Sequence, residues 1–159
     1  MKAFTLLTIA FILFSCSSAK KATTDTGQFS GKHELLDDVT YKIDVFSQDK
    51  TYGYTESNPI KVGGFMEGPK NERRFLNALA GPNGEKISYY RIGSCCQFKT
   101  KNSSFGSGML DMYSVTYEGA PGEIKLYINM YDADLLKVPV GFTLKYKHGQ
   151  QPLAEETNL

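Results

Sequence analysis

The chain has 159 residues, and its 18 lysines and arginines nearly balance its 17 aspartates and glutamates, for a formal net charge of +1. This balance cannot collect phosphate groups, and the basic residues do not cluster with aromatics, so we predict no nucleic acid partner. The two histidines, His33 and His148, lie near the ends, without CxxC or HxxxH spacing. This pattern is weak for metal binding, and we predict neither a metal site nor a cofactor.

Residues 1–15 have the organisation of a secretory signal peptide. Lys2 precedes an apolar or hydroxyl-bearing run over residues 4–14. This run is about half of the roughly 20 apolar residues that a membrane-spanning helix needs. We therefore predict that the segment is removed. Because Lys2 is its only charged residue, the mature chain keeps 17 basic and 17 acidic side chains.

The stretch "LFSC", residues 13–16, resembles the bacterial lipobox, in which the thiol of the last residue is acylated. The resemblance implies that Cys16 carries lipid, including palmitate, and that the mature protein is a lipoprotein. Each buried methylene contributes about 0.8 kcal/mol, so more than one acyl chain anchors a protein firmly. We predict a protein of the cell envelope, anchored in the outer membrane and facing the periplasm. The alternative is an ordinary signal peptide that happens to end beside a cysteine.

The mature chain divides into three parts. Residues 16–32 are rich in Ser, Thr, Lys and Ala, with too little apolar surface to fold, and we predict a lipidated, flexible tether. Residues 33–147 are long enough for a single domain with a modest core. Residues 148–159 are a polar tail.

One helix is expected, in the stretch "GPKNERRFLNALAGPNG". Pro69 suits the first helical turn, and Gly81 suits a left-handed stop, with Pro82 preventing continuation. The helix is short and needs packing against a sheet. Its expected buried stripe consists of Phe75, Leu76 and Leu79.

Strands dominate the rest of the domain. An early strand pair is expected around residues 40–46 and 59–63, and another strand covers 86–98. Leu110 and Met112 alternate with polar residues, and "EGAPGE", residues 118–123, reads as a hairpin connection. Apolar alternation then predicts two further strands. Their apolar positions are Ile124, Leu126, Ile128 and Met130 in the first, and Val140, Phe142, Leu144 and Tyr146 in the second.

Three consecutive strands with short connections imply an antiparallel sheet. The fold class predicted from this pattern is α+β, an antiparallel sheet with one main helix packed on one face.

Two adjacent thiols, Cys95 and Cys96, lie in "RIGSCCQF". Adjacent Cα atoms are about 3.8 Å apart, shorter than the roughly 4.4 Å or more of most disulfides, and an extended strand turns neighbouring side chains to opposite faces. We therefore predict two unbonded thiols, with Cys96 buried and Cys95 beside Arg91, which favours its thiolate. The alternatives are a redox-sensing vicinal disulfide and a reactive or metal-binding Cys95.

All three arginines lie within nineteen residues of one another, two on the expected helix and one on the following strand. The planar guanidinium suits carboxylate or phosphate. A candidate ligand-binding site therefore combines Arg73, Arg74, Arg91 and Cys95. Alternatively, Arg73 and Arg74 are solvated, with Glu72 as a local partner.

A candidate interface comes from tyrosines at positions opposite in parity to the apolar stripes. Amphipathic rings are common anchors of protein interfaces. The alternative is that a second layer of the same domain covers these rings. The four residues are Tyr113, Tyr117, Tyr127 and Tyr131.

Five blocks of the chain resemble a family of small Bacteroidota lipoproteins. They are "YGYTESNPIKVGG", "GPKNERRFLNALAGPNGE", "YRIGSCCQFKT", "LDMYSVTYEG" and "LYINMYD", within residues 52–144. Members often carry the label 2-dehydro-3-deoxyphosphooctonate aldolase. Such aldolases are (β/α)₈ barrels of roughly 200 or more residues, which one helix and a series of hairpins cannot build.

The sequence thus supports two functions. The first is a non-enzymatic binding or structural module of the envelope, held on the membrane by its lipid and contacting an envelope protein. The second is a small-ligand-binding or enzymatic domain that uses the Arg73, Arg74, Arg91 and Cys95 region. A concave pocket around the arginines favours the second, and a flat tyrosine face favours the first.

Overall fold

The structure is a computed structural model that describes residues 31–146. The predicted signal peptide, the lipidated Cys16, most of the tether and the polar tail lie outside the described residues. The described part forms one α-helix and several mostly antiparallel sheets, which agrees with the α+β class.

The elements follow one another in a single series from Leu35 to Leu144. A 3₁₀-helix, Phe65–Glu67, precedes the α-helix directly. The elements are β1 (Leu35–Asp37), β2 (Thr40–Tyr41), β3 (Val45–Phe46), β4 (Ile60–Lys61), α1 (Gly68–Ala78), β5 (Leu79–Ala80), β6 (Ile87–Lys99), β7 (Ser107–Tyr117), β8 (Ile124–Asn129), β9 (Lys137–Val138) and β10 (Thr143–Leu144).

The main sheet has the strand order β4-β8-β7-β6. Strands β6, β7 and β8 pair antiparallel, and residues 118–123 connect β7 to β8, which confirms the predicted hairpin. The fourth strand of the sheet is β4, which pairs parallel with β8. The sequence pattern did not predict this parallel pair. The strand predicted over residues 140–146 contains only β10, which pairs with β5 outside the main sheet.

The two early strand segments do not pair with each other. Within residues 40–46, β2 pairs antiparallel with β1, and β3 pairs parallel with β9. The segment around residue 60 instead supplies β4 to the edge of β8. Short strands take whichever edge the tertiary fold offers, because two residues carry too little pattern to select a partner.

Helix α1 begins as predicted and ends differently. Pro69 lies in its first turn, where a missing N–H costs nothing. The expected left-handed stop at Gly81 is wrong, because the helix ends at Ala78 and Leu79 is already extended, with φ −84° and ψ 152°. Gly81 is still sterically restricted. A Cβ there would clash with Glu85 Oε2 and would lie 3.0 Å from Tyr117 Cγ.

The core brings side chains of α1 together with those of β7 and β8. Phe75 and Leu76 are completely buried beside Leu126 and Ile128. Leu79, the third member of the predicted stripe, is also buried, although it belongs to β5. All three residues of the predicted stripe are therefore buried, although Leu79 lies past the end of the helix.

The register of β7 on β8 decides which face of β7 enters this core. Tyr113 lies opposite Leu126, and residues in register share a face of the sheet. The core face of β7 therefore carries Tyr113 and Val115. The apolar positions Leu110 and Met112, which the sequence pattern placed on the buried stripe, are therefore on the other face of β7, although Leu110 is itself buried.

The β6–β7 hairpin extends past β8. Strand β8 pairs with β7 only between Asp111 and Val115, whereas β6 and β7 remain paired out to Lys99 and Ser107. We call residues 95–110 the distal hairpin. Residues after β8 support it, since Asp132 Oδ1 accepts hydrogen bonds from Thr100 Oγ1 at 2.5 Å and from Asn102 Nδ2 at 2.9 Å.

Candidate functional site

An ion pair lies on the core side of β6 and β7. Arg91 Nε donates to Asp111 Oδ2 at 2.7 Å, and Arg91 Nη2 donates to Asp111 Oδ1 at 2.9 Å. Ser94 Oγ also donates to Asp111 Oδ1, at 2.7 Å. The Asp111 side chain is 4% exposed and that of Arg91 is 46% exposed, so the pair connects the interior with the surface. Bidentate geometry of this kind is strong and directional.

A second carboxyl group lies behind this pair. Glu72 of α1 is fully buried, and its Oε2 accepts a hydrogen bond from the Tyr113 hydroxyl at 2.9 Å. Its Oε1 has no hydrogen-bond partner among residues 31–146. Burial, followed by the charge of Asp111, raises the pKa of Glu72 to about 8. Near neutral pH the carboxyl is therefore mostly protonated.

Glu72 is not the partner of the helix arginines. Arg74 Nη1 lies 3.4 Å from Glu67 Oε2 and donates to Asn71 Oδ1 at 2.9 Å, and its Nε donates to the Asp38 carbonyl. The alternative in which Glu72 is the local partner of Arg73 and Arg74 is thus wrong. The side chain of Glu72 is on the buried stripe of α1, whereas the exposed Arg73 lies on the solvent side.

The arginines do not form one bonded site. Arg74 lines a cleft of about 810 Å³ together with Tyr41, Glu67 and Asn71. Its Nε and Nη1 donate to the Asp38 carbonyl, Glu67 and Asn71. Arg91 is bonded instead to Asp111 and Ser94. In the part of the chain that the structure describes, no hydrogen bond or ion pair links the three guanidiniums through a common acceptor.

Cys95 and Cys96 are joined in a disulfide, with their Cα atoms 3.7 Å apart, so the prediction of two unbonded thiols is wrong. The assumption of a regular strand was the error. The pairing of β6 shifts between Cys95 and Gln97, and Cys96 has a φ of +59° in the left-handed region. A β-bulge of this kind breaks the alternation that would turn neighbouring side chains apart.

The predicted proximity of Cys95 to Arg91 is also wrong. A first register shift, between Arg91 and Gly93, changes the alternation before the cysteines are reached. Ser94 lies opposite Asp111 on the face of Arg91, and Cys95 lies opposite Leu110 on the other face. Both cysteines are half-buried, so Cys96 is not the distinctly shielded one.

The neighbour of the disulfide is Glu56, which the sequence pattern did not mark. One carboxylate oxygen of Glu56 and the Sγ atoms of Cys95 and Cys96 all lie within 4.8 Å of one another. Glu56 belongs to a turn that is fixed to β8 by a hydrogen bond from the Tyr127 N–H to the Gly53 carbonyl, at 2.8 Å. A contact between residues about 40 positions apart has no local signal in the sequence.

The candidate tyrosine interface is divided between two faces. Tyr113 is buried, and Tyr117 packs edge-on against Phe142 at a centroid distance of 6.3 Å. Tyr127 lies opposite Met112 on the other face, and Tyr131 packs against Phe98. The prediction that the four tyrosines share one outward face is therefore wrong. For Tyr113 and Tyr117 the alternative holds, since other parts of the domain cover them.

Four of the ten exposed large apolar side chains among residues 31–146 lie on the β6–β7 hairpin. Phe105 is 90% exposed at its tip, and β6 has no strand partner on its outer edge within the described residues. We use the name hairpin surface for its exposed large apolar side chains. They are Tyr90, Ile92, Phe105 and Met109.

Comparison with protein-family models, with curated proteins and with solved structures finds no match. Between residues 31 and 146, the structure contains no helix with the length and apolar character needed to cross a bilayer.

Proposed function

We propose that the chain is a non-enzymatic, lipid-anchored protein of the cell envelope whose domain binds a protein partner through the hairpin surface. The anchor is the acylated Cys16 implied by "LFSC", and the tether after it carries the domain away from the membrane. The proposal makes the β6–β7 hairpin, rather than a tyrosine face, the contact region.

The observation that carries this proposal is the exposure of large apolar side chains on the β6–β7 hairpin, whose strand β6 has an unpaired outer edge. Phe105 and Tyr90 are more than half exposed, although burial of such rings would be favourable. An exposed edge strand presents unpaired N–H and C=O groups, which pair readily with another chain unless bulges, charges or covering elements prevent it. Here the two register shifts in β6 limit continuous pairing, which favours recognition by side chains over indiscriminate strand addition.

We also propose that α1 covers one face of the main sheet. Two hydrogen bonds between α1 and the sheet support it. The Tyr113 hydroxyl donates to Glu72, and the Tyr89 hydroxyl donates to Asn77 Oδ1 at 2.7 Å. With that face covered, the outer edge and the tip of the hairpin remain available to a partner.

Two observations favour a binding module over an enzyme. The polar groups of Arg91, Ser94 and Asp111 are bonded to one another, as in a structural network. Arg74 is likewise held by three acceptors. A catalytic or ligand-binding role would be better served by donors directed into an open pocket.

Site-specific photo-crosslinking in the native host tests the interface. A photoreactive residue at position 105 should give one dominant crosslinked protein. The matched control is position 66, because Met66 is 92% exposed, close to the 90% of Phe105, but lies outside the hairpin. Equal crosslinking at both positions, or none at position 105, would contradict a partner on the hairpin surface.

The anchor is tested separately. Cys16→Ala should abolish palmitate labelling and move the protein from the membrane fraction to the soluble fraction. An unchanged distribution with unchanged labelling would contradict the lipoprotein assignment and leave the crosslinking result unaffected.

A further inference from the structure

The surroundings of the Cys95–Cys96 disulfide contain a third donor of the kind that binds metal ions. The Glu56 carboxylate lies with both Sγ atoms inside a 4.8 Å limit. Glu56 makes no hydrogen bond or ion pair with any other described residue between 31 and 146, so its oxygens are available. We propose that reduction of this disulfide creates a site for a divalent zinc-like ion, bound by Cys95, Cys96 and Glu56.

The geometry needs only a small rearrangement. In a tetrahedral zinc site with Zn–S of about 2.3 Å and Zn–O of about 2.0 Å, two thiolate sulfurs lie roughly 3.8 Å apart and a sulfur and an oxygen about 3.5 Å apart. The sulfurs must therefore separate after reduction, while the carboxylate is already within 4.8 Å. A solvent molecule can complete the coordination, because Glu56 is exposed.

The local backbone explains why adjacent cysteines can act together. In a regular strand their side chains would diverge. The left-handed conformation of Cys96 and the register shift after Cys95 turn both sulfurs to one side, towards the turn that carries Glu56. That turn is held in place, since the Gly53 N–H donates to the Asn58 carbonyl at 2.7 Å and Asn58 Nδ2 donates to Asp49 Oδ2 at 2.9 Å.

An external dithiol supplies the two electrons that reduce the disulfide. One thiolate of the dithiol attacks an Sγ atom, the bond between Cys95 and Cys96 breaks, and the second thiol closes the reductant's own disulfide. Two electrons and two protons thus end on the cysteines. The metal ion then replaces both thiol protons, which leave to solvent, and its charge offsets the two thiolates and the carboxylate. The oxidised form cannot provide thiolate ligands, so the disulfide controls metal binding.

Titration with Cd²⁺ tests this site, because cadmium–thiolate bonds absorb in the near ultraviolet. The full chain would carry Cys16→Ala in every sample, so that Cys95 and Cys96 are its only thiols. After reduction with a dithiol and its anaerobic removal, the protein should bind one Cd²⁺ and show this absorption. The oxidised protein should not.

Two variants identify the third ligand. Even an outer-sphere partner of a metal commonly contributes a factor of about 10–100 in affinity, so Glu56→Gln should weaken Cd²⁺ binding by about tenfold or more. Glu118→Gln, which changes an exposed glutamate in the β7–β8 connection, should leave it unchanged. Equal affinity of Glu56→Gln and the parent, absence of binding by the reduced protein, or loss of its circular dichroism spectrum on reduction would each overturn the proposal.

Discussion

Strands β6 and β7 are paired along nearly their whole length, from Ile87 opposite Tyr117 to Lys99 opposite Ser107, yet their environments differ. Strand β7 lies between β6 and β8. It buries five side chains between residues 110 and 115, including those of Asp111 and Tyr113. Strand β6 is an edge strand, and none of its 13 residues is fully buried. The bulges, the disulfide and two of the four residues of the hairpin surface, Tyr90 and Ile92, belong to β6. Position in the sheet, rather than strand propensity, separates the stabilising strand from the strand available for binding.

Removal of one tyrosine from each strand would test this difference most strongly. Tyr113→Ala on β7 removes a buried ring and the hydrogen bond to Glu72. It should lower the free energy of unfolding by about 3–5 kcal/mol, as for other buried aromatics. Tyr90→Ala on β6 removes a half-exposed ring and should cost less than about 1 kcal/mol. Denaturant midpoints of the two variants provide the measurement, and equal losses would contradict the comparison.

The Glu72 carboxyl behind β7 should make stability depend on pH. Its pKa is about 8 in the folded protein, against an ordinary glutamate value of 4.5. The folded state therefore binds more protons than the unfolded state between these values. The contribution of Glu72 is fully favourable below pH 4.5 and is lost as the pH rises towards 8, by up to about 1.4 kcal/mol per pH unit.

Glu72→Gln should remove this dependence. The stability of the variant relative to the parent should rise with pH across that window, as measured by urea unfolding at several pH values. Glu118→Gln serves as the exposed control and should follow the parent. A constant difference between Glu72→Gln and the parent across the window would show that the buried carboxyl does not titrate there.

A glycine in each strand gives a smaller, steric version of the comparison. A Cβ at Gly108 of β7 would lie 2.7 Å from the Tyr131 ring and 3.0 Å from Phe98 Cζ. Gly108→Ala should therefore destabilise the protein by about 1–3 kcal/mol through overpacking. Gly93 of β6 has no neighbouring atom within 4 Å of such a Cβ, and Gly93→Ala should stay within about 0.5 kcal/mol of the parent. Thermal unfolding of both variants would measure this, and a larger loss at Gly93 would reverse the ranking.

The smallest expected effect concerns the distal hairpin. Thr100→Val removes the donor of the hydrogen bond to Asp132 Oδ1. The loss should be about 1 kcal/mol or slightly more, because the acceptor is charged. Since β8 does not pair with this part of β7, the change should appear as faster amide exchange over residues 99–107. Uniformly faster exchange throughout β7 and β8 would instead show that the hairpin unfolds only with the whole domain.

The sequence predicted those features whose pattern is local. Alternation in "IKLYIN" identified β8 and its buried Leu126 and Ile128, and Pro69 marked the start of α1. The spacing of Phe75, Leu76 and Leu79 identified a buried stripe that the core contains. Pleat and helical period are imposed by the backbone itself, so they are visible in one segment alone.

The candidate site depended on features that no single segment contains. Alternation within β7 could not say which of its faces meets Leu126, because that is set by the register against β8. Two bulges in β6 changed the parity of Cys95 relative to Arg91. Glu72 lies in the predicted helix, but its buried hydrogen bond is made with Tyr113, 41 positions later.

By itself, then, the sequence determined the α+β class, the start of the helix, the central hairpin and the approximate balance of charge. Only the tertiary structure decided that Tyr113 is buried, that Cys95 and Cys96 are bonded, and that Glu56 lies beside them. The physical reason is that periodicity reports which residues share a face of one element, whereas register, bulges and long-range contacts determine what that face meets.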